Sequence, residues 1–266
     1  MRQGKAYSIE VRDIEVSFGD LNVLKGISLQ MEKGRFYGIL GPNGSGKTTL
    51  LKSMARALRP QKGAIYVNGE DISRMKAREL SKKIACLYQS TGIACDYPVM
   101  DVVLMGRYPY IKRFQTESAK DWEIAKKAMI ASNVWHLKDR RINEISGGER
   151  QRVFIARALV QETDIVLLDE PISHLDIQHQ IEILELVGKM AREGKTIIAV
   201  LHDLNFASMY CDHLIMLKDG KVIAQGEPQK VLTEETVNKV YGVKPFIIEG
   251  MDGSRPYILP LKRQGA

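Results

Sequence analysis

The stretch Gly41-Pro42-Asn43-Gly44-Ser45-Gly46-Lys47-Thr48-Thr49 decides the fold of this chain. It fits the pattern G-x-x-x-x-G-K-[ST], a glycine-rich turn whose backbone N–H groups surround phosphate oxygens. Residues 36–40, just before it, form a short apolar run that is typical of a buried strand. Residues 49–58, just after it, contain no glycine or proline and predict a helix. Strand, glycine-rich turn and helix is the context that a phosphate-binding loop requires.

The residue types in this loop fit the phosphates of a nucleotide. Glycines let consecutive N–H groups turn toward an anion, which a Cβ would obstruct. The start of the helix adds unpaired donors and the positive end of the helix dipole. Lys47 would reach the β- and γ-phosphates, and the Thr48 hydroxyl would face Mg²⁺. The alternative interpretation is a glycine-rich connection between strand and helix that binds no ligand.

Composition limits the class of protein. With 44% hydrophobic and 27% charged residues, the 266-residue chain is typical of a globular protein with one large or two small domains. No apolar run approaches the roughly 20 residues that cross a bilayer, and the first residues lack the apolar core of a secretion signal. Any membrane role is therefore expected to be peripheral. The cysteines, Cys86, Cys95 and Cys211, have no zinc or disulfide spacing and are expected to be buried thiols in a reducing cytoplasm.

The net charge of +7 does not by itself identify a partner. Short basic groups such as Lys82-Lys83 and Arg140-Arg141 are scattered along the chain and separated by acidic residues. We therefore expect a solvated surface and no nucleic-acid partner, with weak attraction to an anionic membrane as the alternative.

Hydrophobic patterning predicts an α/β fold. Apolar residues alternate over 9–18 and 26–31, which predicts an N-terminal antiparallel β portion, and Asn68-Gly69 and Asp219-Gly220 are typical of tight hairpin turns. Continuous apolar runs, such as 165–168, alternate with helical patterns and predict a mostly parallel, buried sheet. A further hairpin is expected over 246–249 and 257–259.

Residues 90–160 differ from the rest and contain the longest helical pattern, 117–134, which predicts a helical insertion in the α/β core. We therefore expect a single domain, 1–266, with three parts. These parts are a nucleotide-binding core of 1–89 and 161–241, a helical subdomain of 90–160, and a C-terminal hairpin extension of 242–266.

Two carboxylates end the apolar run Ile165-Val166-Leu167-Leu168-Asp169-Glu170. A carboxylate buried at a strand end needs a cation or a proton, and beside a phosphate loop the expected cation is Mg²⁺. Asp169 would hold the metal through the Thr48 hydroxyl or a water, and Glu170 could orient or deprotonate the attacking water. The alternative interpretation is an acidic loop before Pro171.

A second glycine-containing helix start is the sequence Ser146-Gly147-Gly148-Glu149, and a helix is predicted over 149–160. The serine hydroxyl, the backbone N–H groups and the helix dipole together make a second anion site. Because there are two such helix starts and one phosphate loop, the ligand could be shared. The alternative interpretation, simple capping of the helix by Ser146, would not require two glycines.

Together these motifs resemble those of the ATP-binding cassette ATPases, the motor subunits of ABC transporters. The phosphate loop at 41–48, the signature at 146–149, the Walker B strand at 165–170 and His202 occur in that family's order. The similarity extends over nearly the whole chain and implies a P-loop NTPase core. One departure is Glu149, where the family usually has Gln, and it should matter little because backbone donors dominate there.

The resemblance implies further roles. Phe18 would stack on adenine, with a half-buried strand Phe as the alternative. Gln89 would contact Mg²⁺ and the attacking water, and His202 would hydrogen-bond the γ-phosphate. The implied catalytic residues are Glu170, His202 and Gln89. The implied nucleotide-binding residues are Phe18, Gly41, Pro42, Asn43, Gly44, Ser45, Gly46, Lys47, Thr48 and Thr49. The implied signature residues, which face the partner's ATP, are Ser146, Gly147, Gly148 and Glu149. The implied loop across the dimer interface is Ser173, His174, Leu175 and Asp176. The implied Mg²⁺ residues are Thr48, Gln89 and Asp169.

The resemblance also implies cofactors and partners. ATP and Mg²⁺ would bind between two copies of the chain, head to tail, with each ATP between the phosphate loop of one copy and the signature of the other. Integral-membrane permease subunits would receive the movement through Gln89 and the helical subdomain. An extracytoplasmic substrate-binding protein would take part indirectly, and the chain would lie on the cytoplasmic face of the cell membrane.

Two segments, 97–110 and 171–180, and the region of Arg255-Pro256 are similar to those of the iron–siderophore, haem and vitamin B12 importers. The resemblance thus implies import of an iron chelate, with haem, vitamin B12 or another metal chelate as alternatives. A DNA-linked ATPase, a regulatory nucleotide-binding module and a P-loop kinase are the alternatives from other classes. A kinase would have no use for the sequence at 146–148.

Overall fold

The computed structural model describes residues 7–88, 96–250 and 255–261, which form twelve strands and nine α-helices. The strands in chain order are β1 (Tyr7–Phe18), β2 (Leu21–Glu32), β3 (Phe36–Leu40), β4 (Lys62–Val67), β5 (Glu70–Asp71), β6 (Ile84–Leu87), β7 (Ile165–Asp169), β8 (Thr196–Val200), β9 (His213–Lys218), β10 (Lys221–Gly226), β11 (Pro245–Ile248) and β12 (Tyr257–Pro260). The helices are α1 (Lys47–Met54), α2 (Ala77–Leu80), α3 (Val99–Leu104), α4 (Ala119–Ala131), α5 (Gly147–Leu159), α6 (Ile177–Arg192), α7 (Leu204–Tyr210), α8 (Pro228–Val231) and α9 (Glu234–Tyr241).

The central sheet has the strand order β10-β9-β3-β8-β7-β6. Neighbouring strands from β9 to β6 are parallel, and β10 pairs antiparallel with β9 through the turn at Asp219-Gly220. Every residue of β3, β7 and β8 is buried, as expected for parallel strands covered on both faces. The predicted mostly parallel, buried sheet and its hairpin are confirmed.

A second, antiparallel sheet has the order β2-β1-β4-β5 and covers one face of the central sheet. Side chains alternate along β7, so that Leu167 packs toward the antiparallel sheet and helix α1, while Val166 and Leu168 pack toward the helices on the other face. The strand that ends in Asp169 is therefore enclosed on both sides. This enclosure fixes where its terminal carboxylate lies.

Helices α3, α4 and α5 pack on one another and join the core on the helical face of the central sheet. Strands β11 and β12 form a small antiparallel hairpin that rests on α7, where Asn205 exchanges two hydrogen bonds with the backbone of Ile258. The predicted C-terminal hairpin is confirmed. Within the described parts of the chain, no helix has the length and apolar character needed to cross a membrane.

Two predicted helices have different bounds in the structure. Helix α1 begins at Lys47 and ends at Met54, whereas the sequence predicted 49–58. Arg56 ends it, because its backbone is left-handed (φ 56°) and its guanidinium donates to the carbonyls of Ile72 and Met75. The predicted helix over 117–134 is also shorter, since Asn133 is left-handed (φ 53°), and the 16-residue α6 is longer than the 13-residue α4.

A buried ion pair holds the helical segment together. The Arg107 guanidinium is 4% exposed and donates to Asp121 at 2.7 Å, to the Val160 carbonyl at 2.9 Å and to Glu162 at 2.8 Å. Burial raises the pKa of Asp121, but hydrogen bonds from Ser118 and Arg107 outweigh it and the net shift is downward. The carboxylate is thus ionised near neutral pH and depends on Arg107 for its countercharge.

We predict that Arg107→Leu lowers the free energy of unfolding by roughly 3 kcal/mol, because it leaves the Asp121 carboxylate buried without its cation. Urea denaturation measures this. The exposed Arg113 lies in the loop that follows and provides the matched control. Arg113→Leu should change the free energy of unfolding by about 0.5 kcal/mol or less. Equal effects of the two substitutions would contradict the structural role of the pair.

Candidate functional site

The loop between β3 and α1 needs its glycines for two different reasons. Gly41, Gly44 and Gly46 have φ values of 146°, 79° and 101°, which other residues rarely adopt. A Cβ at Gly41 would also lie 2.1 Å from the Leu217 carbonyl oxygen, and one at Gly46 would lie 2.7 Å from the side chain of Leu24. The loop is therefore fixed by its backbone conformation and by its close approach to neighbouring strands.

Helix α1 starts directly from this loop, with Gly46 as its N-cap. The first N–H groups of an α-helix have no intrahelical acceptor, so those of the first turn of α1 are available to an anion. No acidic residue lies in that first turn. The helix start thus presents donors and positive potential without a competing carboxylate of its own.

The Lys47 ammonium lies over the concave side of the loop. It donates to the carbonyls of Gly41 at 2.8 Å and Pro42 at 2.9 Å, and the residue is only 6% exposed. Burial lowers the pKa of Lys47, against the attraction of Glu170 and Asp169, which raises it. A phosphate bound in the loop would pair with the Lys47 ammonium. This pairing is favourable because the buried cation is poorly solvated by water.

The end of β7 brings a carboxylate to the start of α1. The Thr48 hydroxyl donates to Asp169 Oδ1 at 3.0 Å, and Asp169 is 1% exposed. Burial raises the pKa of Asp169, against the Thr48 hydrogen bond, which lowers it. A buried carboxylate with this upward shift is stabilised by a cation placed beside it.

The next residue, Glu170, points in another direction because its backbone is left-handed (φ 53°). Its Oε1 lies 2.7 Å from His202 Nε2, and its Oε2 accepts a hydrogen bond from the Ser173 hydroxyl at 3.0 Å. Burial raises the pKa of Glu170, but the hydrogen bonds from His202 and Ser173 outweigh it and the net shift is downward. Glu170 is therefore an ionised hydrogen-bond acceptor at the mouth of the loop.

Lys47, Thr48, Glu170 and His202 line one open cleft of about 730 Å³. The structure brings together many of the residues proposed from the sequence, namely Asn43, Gly44, Gly46, Lys47, Thr48, Thr49, Glu170, Ser173, His174 and His202. Leu21 and Val23 also line the cleft and were not predicted from the sequence. Both residues lie in β2. Leu21 pairs with Phe18 across the β1–β2 turn, so a correctly placed turn at residues 19–20 would have put Leu21 beside Phe18. Phe18 is 51% exposed at this turn.

The signature segment is not part of the cleft lining. Ser146 caps α5, with its hydroxyl accepting from the Glu149 N–H at 3.3 Å, and Glu149 accepts from the Ser146 N–H at 2.8 Å. Hydrogen bonds from the backbone N–H and the hydroxyl of Ser146 lower the pKa of Glu149, against burial, which raises it. The capping that sequence analysis gave as the alternative is therefore present in the structure. Gly147 is exposed, and a Cβ built on it would have no atom within 4 Å.

The remaining predicted residues are placed as follows. Gln89 lies outside the described residues. His174 is exposed with a left-handed backbone (φ 63°), Leu175 packs against the core, and Asp176 is the N-cap of α6, accepting from the His179 N–H at 2.9 Å. Among the described residues, no cluster of three or more His, Cys, Asp and Glu side chains could hold a metal ion. A cation at Thr48 and Asp169 would therefore need ligands from a bound nucleotide and water.

Curated relatives match the chain along nearly its whole length. The ferric enterobactin transport ATP-binding protein FepC of Escherichia coli (strain K12) is 40% identical over 251 residues, which cover 94% of this chain and 93% of FepC. The petrobactin import ATP-binding protein YclP of Bacillus subtilis (strain 168) is 36% identical over 248 residues, which cover 93% of this chain and 97% of YclP.

Solved structures match the fold as well. A transporter described as an ABC transporter of the metal-chelate type, in an inward-facing conformation, matches with a TM-score of 0.85 at 28% identity, covering 97% of this chain and 98% of that one. A dimeric post-hydrolysis structure of the ATP-binding cassette MJ0796 with ADP and Pi matches with a TM-score of 0.71 at 28% identity, covering 82% and 98%.

The family model described as "ABC transporter" matches residues 24–173, which is more than half of the chain. This match begins in β2 and ends just after Glu170, so that it includes the phosphate loop, the signature and the Walker B strand. The chain therefore belongs to the ABC transporter family, as an ATPase.

Proposed function

We propose that this chain is the ATP-hydrolysing motor subunit of an importer that brings an iron chelate of the siderophore type across the cytoplasmic membrane. ATP hydrolysis is supported by the convergence of Lys47, Thr48, Glu170 and His202 on one cleft, with the buried Asp169 hydrogen-bonded to Thr48. The proposed cargo is supported by the near full-length match to transport proteins named for ferric enterobactin and petrobactin.

The cleft supports a site completed by a second copy of the chain. It is open to solvent, and its lining includes residues of the phosphate loop and Glu170 but no residue of the signature. Gly147 is exposed at the start of α5, and no atom of the described residues lies within 4 Å of a Cβ built there. In the proposed dimer, the start of α5 of one copy faces the γ-phosphate held by the loop of the other. ATP then favours the closed dimer, and hydrolysis removes that preference.

The residues present fit a Mg²⁺ ion next to the phosphates. Magnesium prefers oxygen ligands and retains several waters, and the Thr48 hydroxyl and the buried Asp169 carboxylate supply two such oxygens 3.0 Å apart. When bound, the ion would neutralise charge on the β- and γ-phosphates. Asp169 would hold it directly or through a water, while Thr48 fixes the direction of the carboxylate. Gln89 is proposed as a further ligand from the family resemblance.

The hydrogen bond between Glu170 and His202 supports a division of tasks. With its pKa lowered by His202 and Ser173, Glu170 in this state is a better acceptor for orienting water than a base for deprotonating it. In the proposed mechanism, His202 turns to the γ-phosphate when ATP binds. Glu170 then loses one of the hydrogen bonds that lower its pKa and becomes more basic as the attacking water arrives. Lys47 holds the transferring phosphoryl group in place.

The partners follow from the same proposal. The chain would bind to integral-membrane permease subunits at the cytoplasmic face, with the helical segment of α3, α4 and α5 and Gln89 transmitting movement. An extracytoplasmic substrate-binding protein would deliver the chelate to the permease. Phe18, half exposed at the end of β1, is proposed to stack on the adenine ring, since an exposed aromatic face is suited to this contact.

We predict that Glu170→Gln lowers the ATPase rate by about a hundredfold or more, because the amide cannot accept a proton from water. ATP binding should be retained, since Lys47 and the loop are unchanged, and an ATP-bound dimer should accumulate in size-exclusion chromatography with light scattering. Glu185→Gln, an exposed glutamate on α6, is the matched control and should hydrolyse ATP at the wild-type rate. A Glu170→Gln variant that hydrolyses ATP at close to the wild-type rate would remove Glu170 from this role.

The proposed cargo is tested by uptake in the organism that carries the gene. Deletion of this chain should abolish uptake of ⁵⁵Fe bound to at least one siderophore, and wild-type protein should restore it while Glu170→Gln should not. Haem and labelled vitamin B12 are tested in parallel. The deletion strain could instead take up every ferric siderophore normally and lose uptake of haem or vitamin B12. In that case the proposed cargo is wrong, and the assignment as an ATPase still holds.

A further inference from the structure

The start of α5 and the start of α6 contact each other through a glycine and a histidine. A Cβ built on Gly148 would lie 2.4 Å from Cδ2, 2.8 Å from Cγ and 2.9 Å from Nε2 of His179. Gly148 is buried, whereas the adjacent Gly147 is exposed. The imidazole ring therefore lies directly on the backbone of the signature, at a distance that only glycine permits.

The other edge of the same ring is held by the loop at 173–176. His179 Nδ1 lies 2.8 Å from both carboxylate oxygens of Asp176. Hydrogen bonds from the His179 backbone and side chain lower the pKa of Asp176, so the carboxylate is ionised and can only accept. The proton of this hydrogen bond therefore resides on Nδ1, and the ring plane is fixed relative to Asp176.

Two further contacts join α5 to the same segment of chain. Arg152, one turn after Gly148, pairs with Glu182 of α6 at 2.7 Å, and the side-chain amide of Gln151 donates to the Pro171 carbonyl at 2.8 Å. These contacts anchor the body of α5 to α6 and to the residue after Glu170. Both contacts come from residues that follow the first turn of α5, and within that turn Gly148 contacts His179.

We propose that His179 is a positioning residue that fixes the signature of this chain relative to its own interface loop. The inference rests on the proposed function, in which Ser146, Gly147 and Gly148 face the ATP of the second copy. In that arrangement the signature and the loop at 173–176 approach the partner together, because one imidazole ring contacts both. His179 itself touches neither the nucleotide nor the reacting atoms.

A double-mutant cycle on ATPase activity tests the contact. Gly148→Ala should lower kcat about tenfold in the wild-type background, since its methyl group displaces the ring. In the His179→Ala background the same substitution should lower kcat by a factor at least about threefold smaller, because the clash with the ring is absent and only a direct effect on the signature remains. ATP affinity of the isolated subunit should stay within about twofold in every variant, since the loop around Lys47 is untouched. Equal effects of Gly148→Ala in both backgrounds would overturn the proposal.

A second pair of variants tests the link to Asp176 without changing Gly148. His179→Asn places an amide N–H near the position of Nδ1 and should retain kcat within about threefold of the wild type. His179→Leu has comparable bulk but no donor and should lose about tenfold, although its thermal unfolding should match that of the Asn variant. Equal kcat values for the two variants would overturn the proposal.

Controls separate this inference from the proposed function. Glu185→Ala, on the exposed face of α6, should have wild-type kcat. A wild-type protein that does not hydrolyse ATP would refute the proposed function and the inference with it. An active wild-type protein with additive effects in the cycle would overturn the inference alone.

Discussion

The candidate site depends on the position of one buried ammonium, that of Lys47. Lys47 is only 6% exposed, so water solvates its ammonium poorly. It nevertheless lines the open cleft, where a phosphate could reach it. The glycine backbone of the loop supplies the carbonyls that hold the ammonium before a ligand arrives. The enclosed parallel sheet supplies a rigid platform for the loop, because β3, β7 and β8 are buried along their whole length. A loop on a mobile support could not keep these distances.

The carboxyl ends of the parallel strands complete the half-site. Because they meet at one edge of the sheet, Asp169 from β7 and His202 after β8 come close to the loop that follows β3. Asp169 and Glu170 are adjacent in sequence but have opposite pKa shifts. The first is buried beside a single hydroxyl, and the second is turned by its left-handed backbone toward His202 and Ser173. Two neighbouring carboxylates thus have different environments, which suits the proposed tasks of Asp169 toward a cation and of Glu170 toward water.

In the proposed dimer, the signature and the interface loop belong to the other half of a site. The signature lies at the start of α5, outside the cleft of its own chain, whereas Ser173 and His174 of the interface loop line that cleft. His179 contacts both Gly148 of the signature and Asp176 of the loop. This arrangement explains how the sequence Ser146-Gly147-Gly148 can serve two purposes. Its serine caps a helix, its first glycine stays exposed, and its second glycine accepts an imidazole ring from its own chain. The glycine pair therefore has a local packing reason as well as the proposed ligand-binding one.

Local patterns predicted much of the fold. The strand 36–40 and the hairpin at Asp219-Gly220 were found as predicted, because continuous burial and turn chemistry act within a few residues. The placement of Asp169 and Glu170 beside the loop was predicted from an apolar strand that ends in two carboxylates, whereas the role of His202 was implied by the family resemblance.

Contacts between distant segments were not predicted. The early end of α1 depends on Arg56 reaching carbonyls beyond the next strand, at Ile72 and Met75. The Gly148–His179 contact depends on the packing of two helices. Neither contact can be predicted from a short stretch of sequence, because each joins segments that only the complete fold brings together.

The central claim is that each ATP site needs one half from each of two copies, and mixing two inactive variants tests it most directly. Lys47→Ala retains a signature without a working loop, and Ser146→Arg retains a loop without a working signature. Each variant alone should be inactive. An equal mixture should recover about one quarter of the wild-type ATPase activity, because half of the randomly formed dimers are mixed and each has one intact site of two. A mixture that stays inactive although mixed dimers form, or full activity of Ser146→Arg alone, would contradict the account.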